Sequence, residues 1–236
     1  MQKLYKTSVS FLAAALLFSG SVFAQHTKNV AINNVDKVSV QSGIDLYITQ
    51  GNSEGAKVVG DKELIDKLVM EKNGNQLSIK YKESTSWSSL FRNRKTPKVY
   101  LTVRNLSEIR ASGGSDVYAQ NTIKTDRLAI ATSGGADLEM NVVCKDITMK
   151  ASGGSDINIK GSATNMELEI SGGSDADAEH FSVDYAKVSA SGGSDASLHV
   201  NKALEAEANG GSDVVFRGNA SLKTSSSKSG SVKRIN

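Results

Sequence analysis

Ser112-Gly113-Gly114-Ser115-Asp116 is the first of six copies of one short phrase. It returns at Ser133 to Asp137 (with Ala136 for the second serine), Ser152 to Asp156, Ser171 to Asp175, Ser191 to Asp195 and Asn209 to Asp213. The first residues of successive phrases lie 21, 19, 19, 20 and 18 positions apart. A near-constant period of about 20 residues marks a solenoid, in which one repeat is one coil that cannot bury its apolar face alone.

The residues around each phrase alternate. Three positions before it stand Ile109, Ile130, Met149, Leu168, Val188 and Ala206, with mostly polar residues on either side. Directly after the aspartate come Val117, Leu138, Ile157, Ala176, Ala196 and Val214; two residues on come Ala119, Met140, Ile159, Ala178, Leu198 and Phe216. Between these two apolar rows sit Tyr118, Glu139, Asn158, Asp177, Ser197 and Val215. Period two on both sides of a Gly-Gly corner predicts strand, tight corner, strand and return, with one face in and one face out. Helical spacing does not fit, since each glycine would cost a helix about 1 kcal/mol relative to alanine.

A hairpin meander shares this local pattern, but there an identical turn every period would mark only every second turn. A parallel β-helix explains the period directly, because equivalent residues stack at ~4.8 Å from coil to coil. The expected fold is therefore all-β: a parallel β-helix or β-solenoid with about 20 residues per coil, plus one short helix in an irregular N-terminal part.

Residues 1–24 read as a secretory signal peptide. Lys3 and Lys6 form the positive region, Val9 to Phe18 the apolar region, and Val22-Phe23-Ala24 the cleavage site. No later stretch approaches the ~18 apolar residues of a membrane span. Residues 25–236 read as a single solenoid domain: 30–104 the irregular part, 105–220 the regular coils, and 221–236 a worn last coil or tail. Within the irregular part, Ser42-Gly43-Ile44-Asp45 is a variant of the corner phrase, and Asp61 to Met70 reads as a helix capped by Asp61 with Leu64, Ile65, Leu68 and Val69 as its stripe. Asn73-Gly74 is a turn between this helix and a strand Gln76 to Tyr81; Lys98 to Val103 is a further strand leading into the repeats.

Cys144 is the only cysteine, so no intramolecular disulfide forms; its setting in Val142-Val143-Cys144 reads as a small buried hydrophobe. The net charge is +3, but residues 111–216 hold 16 acidic and 7 basic side chains. Such polarity suits orientation on a charged envelope or head-to-tail stacking, and equally a solvated repeat face. Scattered basic residues and the export signal exclude nucleic acid as the partner.

The corner variant Ser42-Gly43-Ile44-Asp45, the helix and strand after it, and the SGGSD coils together resemble the auto-transporter adhesin head (GIN) domain family of Bacteroidetes-type bacteria. The resemblance spans nearly all of the chain after the signal. It implies a β-helix-like protein of the cell envelope with an adhesin role, located in the periplasm, on the outer membrane surface or outside the cell. No catalytic residues are carried over from it.

Stacking places Asp116, Asp137, Asp156, Asp175, Asp195 and Asp213 in one row. Two carboxylates ~4.8 Å apart repel by about 0.9 kcal/mol in water, so a row needs compensation. Either each carboxylate accepts backbone N–H groups of its corner, as in Asx turns, or a hard cation such as calcium lies between coils. The first is the favoured reading, and no other cofactor is expected. His180 and His199 lie about one period apart and suit a surface pair better than a metal site. A polysaccharide-cleaving enzyme needs two carboxylates in unlike environments, which a repeated row does not supply. Unique chemistry is sought instead where the repeat breaks. Trp87, Leu90 and Phe91 beside Arg92, Arg94 and Lys95 combine apolar anchors with positive charge. They suit partner contact or plugging of a solenoid end. The expected function is a non-enzymatic, exported binding module whose partner is an envelope protein or a glycan. The alternative is a scaffold that self-associates as a homo-oligomer.

Overall fold

The computed structural model describes residues 26–82, 96–227 and 229–235. Its N-terminal part contains β1 (His26–Val30), β2 (Lys37–Gln41), β3 (Asp45–Gln50), β4 (Gly55–Gly60), helix α1 (Lys62–Lys67), β5 (Leu68–Asn73), β6 (Gln76–Tyr81) and β7 (Lys98–Val103). The repeats supply β8 (Glu108–Ser112), β9 (Val117–Ala119), β10 (Ile123–Lys124), β11 (Arg127–Ser133), β12 (Leu138–Val143) and β13 (Asp146–Ser152). Three long strands follow, β14 (Asp156–Ser171), β15 (Asp175–Ser191) and β16 (Asp195–Asn209), then β17 (Asp213–Arg217), β18 (Ser221–Ser226) and β19 (Ser231–Arg234).

Two parallel ladders run the length of the molecule. Strands leading into the corners stack as β6, β2, β8, β11 and β13, then the C-terminal halves of β14, β15 and β16, then β18. Strands leaving the corners stack as β7, β3, β9 and β12, then the N-terminal halves of β14, β15 and β16, then β17 and β19. The result is a β-solenoid of about 7 turns about 19 residues apart. A meander would pair these strands antiparallel, so the parallel register decides between the two sequence readings.

The apolar rows close the core between the ladders. Ile109, Ile130, Met149, Leu168, Val188 and Ala206 are buried, as are Val117, Leu138, Ile157, Ala176, Ala196 and Val214. Toward the C-terminal coils many of these positions become alanine, and two fully buried rings, Phe181 and Phe216, fill the space. Such filling matters because interiors pack at crystal-like density.

Chain order and spatial order differ at the N-terminal end. The coil formed by β2 and β3 lies between the β6/β7 coil and the β8/β9 coil. β7 therefore does not lead directly onto its spatial neighbour; the chain passes the earlier coil to begin β8. Outside β6 and β7 the pairing turns antiparallel, β5 on β6 and β4 on β7 with β1 beyond it. These strands occupy the edge that a parallel stack would otherwise leave open.

Helix α1 is shorter than the sequence pattern suggests. Asp61 caps it as expected, its Oδ1 accepting the Glu63 N–H at 3.0 Å, and Leu64 and Ile65 are its buried residues. Leu68 and Val69 belong instead to β5, because pairing with β6 satisfies the backbone that a further helical turn would have used. Among the described residues no helix is long and apolar enough to cross a membrane.

Candidate functional site

Each Gly-Gly corner has positive φ at both glycines, for example 68° at Gly153 and 71° at Gly154. A Cβ on Gly153 would meet the Gly134 backbone nitrogen of the adjacent coil at 3.3 Å, so the corner requires glycine twice over: for its torsion and for close approach. The serine after the pair points inward. Ser115, Ser155, Ser174, Ser194 and Ser212 are fully buried. The Ser174 hydroxyl donates to the Ser171 carbonyl at 2.9 Å and accepts the Ser155 N–H of the coil before at 3.3 Å. Ser194 and Ser212 donate to Ser191 and Asn209 in the same way, at 2.9 and 2.7 Å. Their hydroxyls also lie near carbonyls of the preceding coil, Ile170 at 3.2 Å and Ala190 at 2.9 Å.

The serines thus perform the role that the sequence reading assigned to the aspartates. Strand register brings Asp116, Asp137, Asp156, Asp175, Asp195 and Asp213 into one row, and adds Asp45 ahead of Asp116. Within that row only Asp195 accepts a backbone N–H, that of Asp213 at 3.2 Å, among the described residues. The carboxylates from Asp137 to Asp213 are exposed to water, which screens their repulsion. At one end the row meets Lys98, opposite Asp45; at the other, the Ser231 hydroxyl donates to Asp213. Partial burial and the neighbouring Asp116 push the Asp45 carboxyl above its usual range, against a smaller lowering by Lys98. Among the described residues no group of three His, Cys, Asp or Glu side chains converges as a metal site.

Other acidic side chains of the repeats pair with basic ones of an adjacent coil. Lys150 meets Glu169 at 2.6 Å, Lys202 meets Asp184 at 2.7 Å and Lys223 meets Glu205 at 2.8 Å. Such exposed pairs contribute little each, ~0.2–1 kcal/mol. His180 and His199 do not stack: a bulge shifts the register, so His199 pairs with Ser182. Cys144 is half-buried against the core, and burial pushes its thiol up to about 11.

Trp87, Leu90, Phe91, Arg92, Arg94 and Lys95 lie outside the described residues. The strands described on either side of them, β6 and β7, pair with β2 and β3.

A feature absent from the sequence reading emerges from the order of the coils. Tyr47, Tyr100 and Tyr118 occupy the same outward position, two residues beyond the corner, on β3, β7 and β9. Their rings form a continuous stack, Tyr100 on Tyr47 at 5.0 Å and Tyr47 on Tyr118 at 5.2 Å between centroids, with interplanar angles of 19° and 22°. Lys98 Nζ donates to the Tyr47 hydroxyl at 3.1 Å and lies 5.1 Å from that ring's centroid. The Tyr118 hydroxyl points to Asp116 at 3.5 Å. Partial burial, reinforced by Asp116, pushes the Tyr118 phenol up to about 12. The common offset Asp45-x-Tyr47, Lys98-x-Tyr100 and Asp116-x-Tyr118 was present in the sequence; it became a signal only once the three coils were known to be neighbours.

Both ends of this stack open into clefts. Beyond Tyr118, a cleft of about 210 Å³ is lined by Tyr47, Tyr118, Gln120, Glu139, Asn141 and Lys160, among others. Glu139 is the register partner of Tyr118, and Lys160 Nζ lies 3.8 Å from its carboxylate. At the other end Tyr100, 39% exposed, borders a wider and shallower groove with Lys57, Glu54 and Asn29. Rigid aromatic area with polar groups around it is what a recognition surface requires.

The same fold is known in solved structures. A "putative adhesin" from Bacteroides fragilis NCTC 9343 superposes with a TM-score of 0.83 at 20% identity, over 90% of this chain and 98% of that one. One from Parabacteroides distasonis ATCC 8503 gives 0.73 at 19% identity, covering 90% and 97%. A "putative lipid binding protein" from the same organism gives 0.70 at 16% identity, covering 91% and 98%. No curated protein matches the sequence. The family model described as "Putative auto-transporter adhesin, head GIN domain" matches residues 34–220, and the chain belongs to that family.

Proposed function

We propose that this protein is an exported, non-enzymatic binding module of the cell envelope, an adhesin-type head that takes its ligand on the tyrosine face. The observation that carries this reading is the stack Tyr100–Tyr47–Tyr118, an outward-facing aromatic row, exposed at Tyr100 and half-buried at Tyr47 and Tyr118, on a paired β scaffold. Aromatic groups held on adjacent paired strands lose little freedom on binding, so more of their contact energy appears as affinity. Membership of the adhesin family agrees with it, and the N-terminal segment with its signal-like pattern supports export. The test is retention of residues 25–236 on immobilised envelope fractions, mucin and glycan panels, with the Tyr47→Ala/Tyr118→Ala double variant beside it. Retention that the double variant loses, while its melting remains cooperative, supports the reading. Equal retention of both proteins, or none of either, overturns it, and turnover of any glycan would restore the enzyme class.

A second reading rests on the C-terminal end. β18 is exposed throughout and pairs only with β16, β19 only with β17, among the described residues; Leu222 and Ile235 are 42% and 37% exposed. Such an edge favours a self-associating scaffold. Sedimentation over a concentration series separates the two: a scaffold assembles without any ligand, a binder stays monomeric.

A further inference from the structure

We infer that the cleft between Tyr118 and Lys160 is a saccharide subsite that takes a neutral pyranose unit. The inference rests on the binding-module reading above and names its ligand class. Tyr47 covers one face of the Tyr118 ring at 5.2 Å, and the ring also borders the cleft shared with Glu139, Asn141 and Lys160. A pyranose presents an apolar patch of C–H groups on one ring face and hydroxyls around its rim. Stacking that patch on Tyr118 would set the rim among two amides, Gln120 just after β9 and Asn141 on β12, and the charged pair Glu139 and Lys160. Together these supply both donors and acceptors, as a hydroxyl requires.

Charge selects within the class. Glu139 and Lys160 stand 3.8 Å apart and cancel each other at the cleft. Two residues before Tyr118 and Glu139, the row Asp116, Asp137 and Asp156 passes alongside, and no cation among the cleft residues is left to pair with a sugar carboxylate. Like charges brought together are penalised, so uronic and sialic acids are disfavoured. The coil-to-coil repeat of 5.0 and 5.2 Å between rings also lets an extended chain follow the outer face from the Tyr118 cleft toward the Tyr100 groove, over rings and polar groups alike. Neither an apolar lipid tail nor an extended peptide fits as well. Four of the residues lining the cleft, Gln120, Glu139, Asn141 and Lys160, are polar or charged, and the strands that form it are already paired on both edges.

The experiment uses residues 25–236 and named probes: tetrasaccharides of mannose, galactose and N-acetylglucosamine, with a hyaluronan tetrasaccharide and sialyllactose as acidic counterparts. Saturation-transfer NMR and calorimetry read the binding. A neutral probe is expected to bind, and Tyr118→Ala to weaken it by about three- to tenfold, the loss of one aromatic platform. Asn141→Ala, an exposed change that leaves the core untouched, is expected to weaken it as well. Tyr185→Ala, an exposed tyrosine on the other ladder, leaves the affinity unchanged. Binding that survives both Tyr118→Ala and Asn141→Ala overturns the subsite, as does a preference for the acidic probes. If no saccharide binds while envelope fractions still retain the protein through its tyrosines, the sugar assignment fails and the binding-module reading stands. If the fractions are not retained either, both fail.

Discussion

The ring of Tyr47 lies against the ring of Tyr118 at 5.2 Å, although a different coil, containing Tyr100, separates them in the chain. The contact exists because β3 sits between β7 and β9. A double-mutant cycle with alanine at both sites measures this contact. Stacked pairs couple by about 0.5–1.5 kcal/mol, so urea denaturation of Tyr47→Ala, Tyr118→Ala and the double variant should return a coupling in that range. A coupling near zero would show that the rings stand side by side without supporting each other.

The corner assigns different roles to adjacent residues, and stability should divide accordingly. Ser174→Ala removes the donor to the Ser171 carbonyl and the acceptor of the Ser155 N–H in a buried corner. A loss of about 1–3 kcal/mol is expected in chemical denaturation. Asp175→Asn, one residue on and exposed, should stay within about 0.5 kcal/mol of the parent. The reverse ranking would return the corner to the aspartates.

One corner departs from the glycine rule. Gln41 pairs with Ser112, so Ser42 stands where the other coils have the first glycine, and its φ is 73°. A left-handed torsion costs a residue with a Cβ about 1–2 kcal/mol, partly offset by the entropy glycine loses on folding. Ser42→Gly should therefore raise stability by about 0.5–1 kcal/mol, read as a shift in the urea midpoint without a change in slope.

Asp45 gives the acidic row a pH signature. Its carboxyl is raised in the folded state by burial and by Asp116. A raised carboxyl keeps its full contribution below the ordinary carboxylate range and loses it as pH climbs through the folded value. Asp45→Asn should therefore melt higher than the parent at pH 7, and the advantage should shrink to nothing as pH falls below about 3.9, the ordinary aspartate value. A variant that is less stable at pH 7 would mean that the partnership with Lys98 outweighs both burial and Asp116.

Much of the fold was legible in the residues because its causes are local and repeated. Alternation on either side of Ser152-Gly153-Gly154-Ser155-Asp156 sets which side chains face inward, and the core positions it marks, from Ile109 to Ala206, are buried. Boundaries of β6 and β7 matched as well. Helix α1 ended early because β5 found a partner in β6, a contact no helical pattern encodes. The corner roles were misassigned for a related reason. Serine and aspartate both accept backbone hydrogen bonds, and only the inward turn of Ser155 and Ser174 shows which of them meets the buried groups.

By itself, then, the sequence determined the coil: its period, its glycine corners and its apolar rows follow from torsional limits and from burial within one repeat. Tertiary structure decided which coils touch. The segment β4–α1–β5 lets a later coil pack outside an earlier one, and strand pairing across that insertion places Tyr47 between Tyr100 and Tyr118. A residue's position in its repeat is written locally, whereas its neighbour along the solenoid axis is selected by the free energy of pairing whole coils.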